Sequence, residues 1–324
     1  MKRYRPIPSG MALLMALVML AIATTLAAGI WYNAQLSVAR INNLQKNYQA
    51  KHYSQGLLLW ASDLLREDYA QDEYTHDSHL DGWRQGIQGM LVEDAVLSGQ
   101  LTGLSGRFNV NNLVINGVVQ EWHLAYLQRL LALLELDVGI ADQIIDWIDP
   151  DQIPRPKGAE DFVYLAKAPG YQTPGGPMKH IGELALLDGV DADTFQLLSG
   201  YLIALPLTTD QPTRMNVNTM RPAALSALDL AITNELALRL YQNGQADFLN
   251  LQAFFDHPAI QYRLQGAREE LTPRLSTQTR YLQASSRIQM EQHEYQMHAL
   301  LQRQEVGHVR VLSRSMRPYL VRVP

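Results

Sequence analysis

No cysteine occurs among the 324 residues. That excludes disulfides, thiolate metal ligands and cysteine nucleophiles, and it fits an exported chain that folds without oxidation. There is no excess of basic residues either: 27 Lys and Arg stand against 32 Asp and Glu, a net charge of −5 with an isoelectric point near 6.0. This balance excludes a general affinity for nucleic acid or acidic lipid. Charge is missing altogether from Met11 to Tyr32, a run of 22 residues, and proline is missing from the stretch that follows, whose only glycine up to Arg66 is Gly56. No phosphate-binding P-loop, G-x-S-x-G elbow or G-x-G-x-x-G turn is found, and nothing along the chain assembles into a triad, so the residues point away from an enzyme. The apolar share, 47%, is that of a globular protein with sizeable cores, and the length suits two modest domains or one with a large insertion.

What is present begins with Lys2, Arg3 and Arg5, three positive charges ahead of Gly10. As a helix the uncharged run would be roughly 33 Å long, enough to cross a hydrocarbon core of about 30 Å. The basic leader predicts a cytoplasmic N-terminus with the rest of the chain outside. Secretory h-regions are shorter, about 7–15 residues, although the small residues at Ala27 and Ala28 leave a conventional cleavage site open. Beyond Tyr32, Leu36, Ile41, Leu44, Tyr48, Leu57, Leu58, Leu64 and Leu65 recur at helical intervals. The spacing predicts one helix from Met11 to Arg66, apolar all round in its first half and amphipathic in its second. A cleaved signal peptide has no reason to run into such a helix, whereas a membrane-anchored stalk has one.

Residues 67–83, with Glu67, Asp68, Asp72, Glu73, Asp77 and Asp81 around His76 and His79, read as a solvated loop. "MLVEDAVLSGQLTGLSG" predicts one or two short strands between glycine turns. From Asn109 to Pro273 the pattern turns helical, in amphipathic stretches such as "EWHLAYLQRLLALLEL" and "VGIADQIIDWI". "FNVNNL" (108–113) and "MNVNTM" (215–220) echo one another ahead of helices, and asparagine suits a capping role in both. The chain finishes in alternating segments, "RYLQASSRIQM", "EYQMHALLQR" and "HVRVLSRSM", joined by turns at "EQH" and "EVG". The pattern as a whole predicts an α/β domain with a long N-terminal helix and a broken sheet, interrupted by a large α-helical insertion.

The basic leader, Gly10 and the following "MALLMALVML" resemble the class III leader of type IV pilins and type II secretion pseudopilins. Farther on, "GRFNVNNLV", "DWIDPD", "GAEDFVYL", "ELALLDGV" and "MNVNTMRPAALSAL" resemble the minor pseudopilin K family of the general secretion pathway. The resemblance implies a type IV pilin-like fold with an antiparallel sheet. It implies cleavage by a prepilin peptidase after Gly10 and methylation of the new N-terminus at Met11. It also implies an inner-membrane anchor, a periplasmic pseudopilus, and partners among the I- and J-type minor pseudopilins. Contacts with secreted substrates and the outer-membrane secretin would follow, with no nucleic acid involved. Most pilins carry a glutamate at the fifth mature position, where this chain has Met15. That carboxylate neutralises the buried terminal ammonium of an adjacent subunit, so a subunit lacking it fits best where nothing sits above it: at the tip.

The expected segments are 1–10 as leader, 11–66 as anchor and stalk helix, 67–108 as the first part of the pilin-like domain, 109–277 as the helical insertion and 278–324 as the closing strands.

In "DWIDPDQIPRPKGAED" (146–161), Asp149, Asp151 and Glu160 fall at positions 1, 3 and 12 of an EF-hand count, but Ile153, Pro154 and Lys157 break its centre. Asp149, Asp151, Glu160 and Asp161 are nonetheless expected to converge on Ca²⁺ through an irregular loop, and the resemblance to calcium-containing relatives supports this. The alternative is a solvated acidic loop offset by Arg155 and Lys157. "ELALLDGVDADTFQLL" (183–198) resembles half of a DNA-binding helix-hairpin-helix. Asp191 replaces its second glycine and Lys179 is the only Lys or Arg between Ala168 and Arg214, so packing is the better reading. His293 and His298 are five apart, which on a strand puts them on opposite faces; both are read as exposed sheet residues rather than zinc ligands. The readings of other classes are an exported DNA-binding module and a periplasmic hydrolase behind an ordinary signal peptide.

Overall fold

The structure, a computed structural model, describes residues 9–72, 76–207, 211–304 and 307–316; Lys2, Arg3 and Arg5 of the leader lie outside them. The chain divides into two units, Met1–Gln55 and Gly56–Pro324, and each is taken by itself. Helix α1, Ser9–Asp72, contributes to both. No proline interrupts it, and it runs six residues past Arg66, into the tract expected as a loop.

In the first unit, apolar side chains from Met11 to Leu44 are exposed, Leu14, Met19, Ile30 and Trp31 among them. This segment is long and apolar enough to cross a membrane. Its hydroxyls are satisfied inside the helix: Thr24 Oγ1 donates to Leu20 O at 2.9 Å and Thr25 Oγ1 to Ala21 O at 2.8 Å. A helix facing lipid requires such internal pairing, because hydrocarbon offers no partner.

The second unit is built on a five-stranded antiparallel sheet. Its strands are β1 (Ile87–Val92), β2 (Ala95–Gly103), β3 (Tyr281–Met290), β4 (His293–Arg303) and β5 (Val309–Ser315), adjacent in that order. The period-2 pattern is clear in β2, where Leu97 and Leu101 are buried while Val96 and Gln100 face out. Two-residue turns join β1 to β2 and β3 to β4, opened by Glu93 (φ 53°) and Glu291 (φ 50°) in the left-handed region that tight hairpins use. Ala61 and Leu65 of α1 pack with Trp83, Leu101, Leu282, Ala299 and Leu301 against one face of the sheet. The chain leaves the sheet after Gly103 and returns opposite it: Gly103 pairs with Leu282, and Leu104 N donates to Tyr281 O at 2.9 Å.

Between those points lie the short helices α2 (Glu121–Leu133), α3 (Ile140–Ile148), α4 (Asp161–Leu165), α5 (Ala192–Leu198), α6 (Pro222–Ser226), α7 (Asn234–Tyr241), α8 (Leu251–Phe255) and α9 (Arg268–Leu271). They share one core containing Tyr126, Leu130, Ile144, Leu184, Leu225 and Phe254. The hairpin-like segment belongs to it: Leu184, Leu187 and Leu198 are buried, and Asp191 caps α5 by accepting from Thr194 N at 2.8 Å.

Three expectations need correction. The asparagines of the two echoing motifs are buried staples more than caps. Asn109 accepts from Asn111 N in a single 3-10 turn, but Asn111 Nδ2 reaches Met178 O and Leu205 O, both at 2.9 Å. Asn218 likewise bonds both backbone atoms of Phe248. The acidic tract is not simply a solvated loop, since Asp77 and Ser78 are buried. Arg303 Nη1 lies 2.8 Å from Asp77 Oδ1 and its Nη2 lies 2.6 Å from Asp68 Oδ2, so a strand cation supplies the charge that burial demands. His293 is exposed, but His298 on the other face is buried, with Nδ1 3.0 Å from Ser285 Oγ.

Candidate metal centre

Helix α3 buries Ile140, Ile144, Ile145 and Ile148 along one face and ends at Asp149, whose N–H still closes onto Ile145 O at 2.8 Å. The Pro-rich stretch 150–159 cannot continue it. Glu160 then occupies the N-cap of α4. Asp149, Asp151 and Glu160 thereby each offer one carboxylate oxygen, and these oxygens lie within 4.8 Å of one another.

Two residues not singled out by spacing hold this loop in shape. Asp146, buried on α3, accepts from Arg155 N at 3.1 Å, and a Cβ built on Gly158 would stand 1.8 Å from Asp146 Oδ2. Only glycine fits there. A carboxylate one helical turn before Asp149 and a glycine just before Ala159-Glu160 were the available signals.

The charges of the loop are already divided. Arg155 Nε donates to Asp142 Oδ1 at 2.8 Å and Lys157 Nζ to Asp137 Oδ1 at 3.2 Å. These two cations therefore pair with acids other than Asp149, Asp151 and Glu160, although Arg155 still acts on Asp149 at longer range. Asp151 Oδ1 accepts from Ile153 N at 2.8 Å, shaping the turn. Glu160 is 0% exposed, and both its Oε atoms, like Asp149 Oδ1, are buried without a hydrogen-bond partner among the described residues. Burial, aided by the neighbouring carboxylates, pushes Glu160 up to about 7 and Asp149 up to about 6. Buried orphan carboxylate oxygens that converge are the donor set of a hard cation, and the irregular loop suits the flexible geometry of Ca²⁺. Asp161 is not brought in: its Oδ1 accepts from Thr173 N at 2.7 Å and from Thr173 Oγ1 at 2.9 Å.

The N-terminal positions lie apart, in the first unit. Gly10 and Met11 are exposed in the first turns of α1, and a Cβ at Gly10 would meet nothing within 4 Å. Nothing among the described residues demands glycine there. Met15 is 54% exposed among other apolar side chains.

Residues 106–207, which include the acidic loop, match the family model of the type II secretion system protein K. The chain is 31% identical to the type II secretion system protein K of Pseudomonas aeruginosa, over 95% of this chain and 92% of that protein. It is 29% identical to the Klebsiella pneumoniae protein of the same name, over 91% and 92%. Among solved structures, a chain in the crystal structure of the GspK-GspI-GspJ complex from enterotoxigenic Escherichia coli shares the fold, with a TM-score of 0.74 at 23% identity, covering 85% of this chain and 98% of that one.

Proposed function

This chain belongs to the type II secretion system protein K family, and on that premise we propose that it is a minor pseudopilin at the tip of a periplasmic pseudopilus, starting or capping its assembly for protein secretion. The observation that carries the reading is the exposed apolar face of α1 with Met15 where a carboxylate would be needed to receive a subunit above. The helix serves first as a single-pass inner-membrane anchor and then as the segment that packs against I- and J-type partners. The Escherichia coli neighbour, which assembles with GspI and GspJ, supports that choice of partners. The second unit stands in the periplasm, available to secreted substrates and the secretin. The role is structural and assembling, not enzymatic.

Because the chain has no cysteine, single cysteines introduced along α1 report neighbours cleanly. Crosslinks to I- and J-type chains on the membrane-proximal side, with about one copy per pseudopilus, are expected; recovery of many copies stacked along a filament would overturn the tip assignment.

Processing has its own test. Gly10 is replaced with phenylalanine at a position where a Cβ meets nothing within 4 Å among the described residues. The expected result is a precursor retaining its leader, with the methylated Met11 terminus missing from the mass spectrum. Normal maturation of the variant would rule out cleavage at this position.

Within the second unit, Asp149, Asp151 and Glu160 would hold Ca²⁺ as a structural ion. When bound, the ion would cross-brace the end of α3 to the start of α4 and neutralise the carboxylates. The protein's own part is to preset the loop through Asp146, Gly158 and the Asp142–Arg155 pair.

A further inference from the structure

Where the sheet meets the inserted segment, three arginines gather with no carboxylate at ion-pair distance among the described residues. The close approaches there are made by glycines. A Cβ on Gly103 would sit 3.5 Å from Arg84 Nη1, and one on Gly106 would press to 2.3 Å from Thr219 O. A Cβ on Gly200 would come within 2.5 Å of Arg221 Nη1. Phe108 N bonds Tyr201 O at 2.9 Å, and the Arg221 guanidinium lies over the Tyr201 ring at 5.4 Å. Arg84, Arg107 and Arg221 are therefore tethered to one small region by the end of β2, the Thr219–Arg221 turn and the Gly200–Tyr201 turn.

None of the three arginines has a carboxylate within ion-pair distance among the described residues. Asp81 and Asp77 act on Arg84 at longer range, but both are engaged by other donors. Asp77 receives Arg303 and Thr279 N, while Asp81 receives Ser78 N and Trp83 Nε1. Arg107 Nε is buried with no hydrogen-bond partner among the described residues. Among the described residues, the charged groups that act on Arg107 are Arg221 and Arg84, and those that act on His79 are Arg84 and Arg107. Burial first, and then those cations, bring Arg107 down to about 10 and His79 down to about 4. A half-buried guanidinium facing only like charges is unfavourable unless an anion completes it.

We propose that Arg84, Arg107 and Arg221, with His79 beside them, form an oxyanion-binding site at the junction of the sheet and the inserted segment. Planar guanidinium forks match carboxylate and phosphate-type groups in bidentate geometry, and a partly desolvated setting strengthens such bonds. The ligand is an oxyanion, either the carboxylate of a neighbouring protein chain or a free tetrahedral anion.

The test uses the full-length chain in detergent micelles with calcium present, titrated with sodium sulfate or sodium acetate against sodium chloride of equal ionic strength. A saturable rise in melting temperature at low millimolar oxyanion is expected, stronger with acetate if the natural group is a protein carboxylate and stronger with sulfate if it is a free tetrahedral anion. In chloride, Arg107→Met is expected to melt at or above the unsubstituted protein, because it removes a charge that has only like neighbours, and to lose the oxyanion response. The exposed Arg221→Gln should weaken that response at least tenfold by isothermal titration calorimetry while leaving the fold intact. No saturable response to either anion, or the same response in both variants, would overturn the proposal. A marked fall in the melting temperature of Arg107→Met in chloride would do so as well, since it would show that Arg107 is a structural strut.

Discussion

Chelating calcium from the full-length chain near pH 7.5 is expected to lower its melting temperature by roughly 6–16 °C. An ion held at 100–1,000 times its dissociation constant stabilises by about 3–4 kcal/mol, and a protein of this size shifts by roughly 2–4 °C per kcal/mol. The effect rests on Glu160 and Asp149, whose buried oxygens have no other partner among the described residues. Its pH dependence has a definite sign. Both groups have folded values above their ordinary ones, about 7 and about 6, so the ion-free fold gains stability by taking up protons and loses it as pH rises from about 4 to 7. Calcium competes with those protons. The difference between calcium-loaded and chelated melts should therefore be small at pH 5 and full at pH 8. Glu160→Gln should raise the melt of the chelated form and remove most of the calcium response. Scanning calorimetry with EGTA decides the matter, and an unchanged melt at pH 8 would sink the metal assignment.

Arg303→Met is expected to be the most destabilising single substitution in the second unit, by about 3–5 kcal/mol, because it leaves Asp77 as an uncompensated buried charge. Burial already pushes Asp77 up to about 6 against the lowering by Arg303 and by the Thr279 N–H. The damage should fall at low pH, where Asp77 takes a proton, and grow as pH rises through 6. The double variant Asp77→Asn, Arg303→Met should recover most of the loss, since Asn keeps an acceptor for Thr279 N and carries no charge. Urea midpoints of the four proteins in the cycle measure the coupling. A cost below about 1 kcal/mol for Arg303→Met would show that the pair is better solvated than its burial implies.

That pair also marks the limit of what the sequence discloses. The α1 run and the strands that close the chain are local patterns that periodicity exposes, although the first hairpin turns at Glu93-Asp94 rather than at a glycine and the second half of β4 is buried on both faces. Asp149, Asp151 and Glu160 were legible for the same reason, since a short Pro-rich loop can only bring nearby carboxylates together. Asp77 and Arg303 are far apart in sequence, and nothing in either neighbourhood marks one as the other's counter-charge. The asparagine staples are legible only in part: Asn109 caps its 3-10 turn as "NVN" suggests, while Asn111 spends its amide on Met178 and Leu205. Asp161 shows the converse. Its position beside Glu160 suggested a ligand, but the first residue of α4 turns its oxygen toward Thr173, which adjacency in sequence cannot reveal.

The single point at which the inserted segment leaves and rejoins the sheet has a kinetic consequence. For a flexible chain, bringing β2 to β3 across so long an excursion costs about 4–5 kcal/mol in loop-closure entropy before any central pairing forms. If the excursion has already condensed around its own apolar centre, its ends stand together at Leu104 and Tyr281, and the closure reduces to that of a turn. The order of events during synthesis is thereby biased: the intervening block matures first, and the β2–β3 zipper closes behind it.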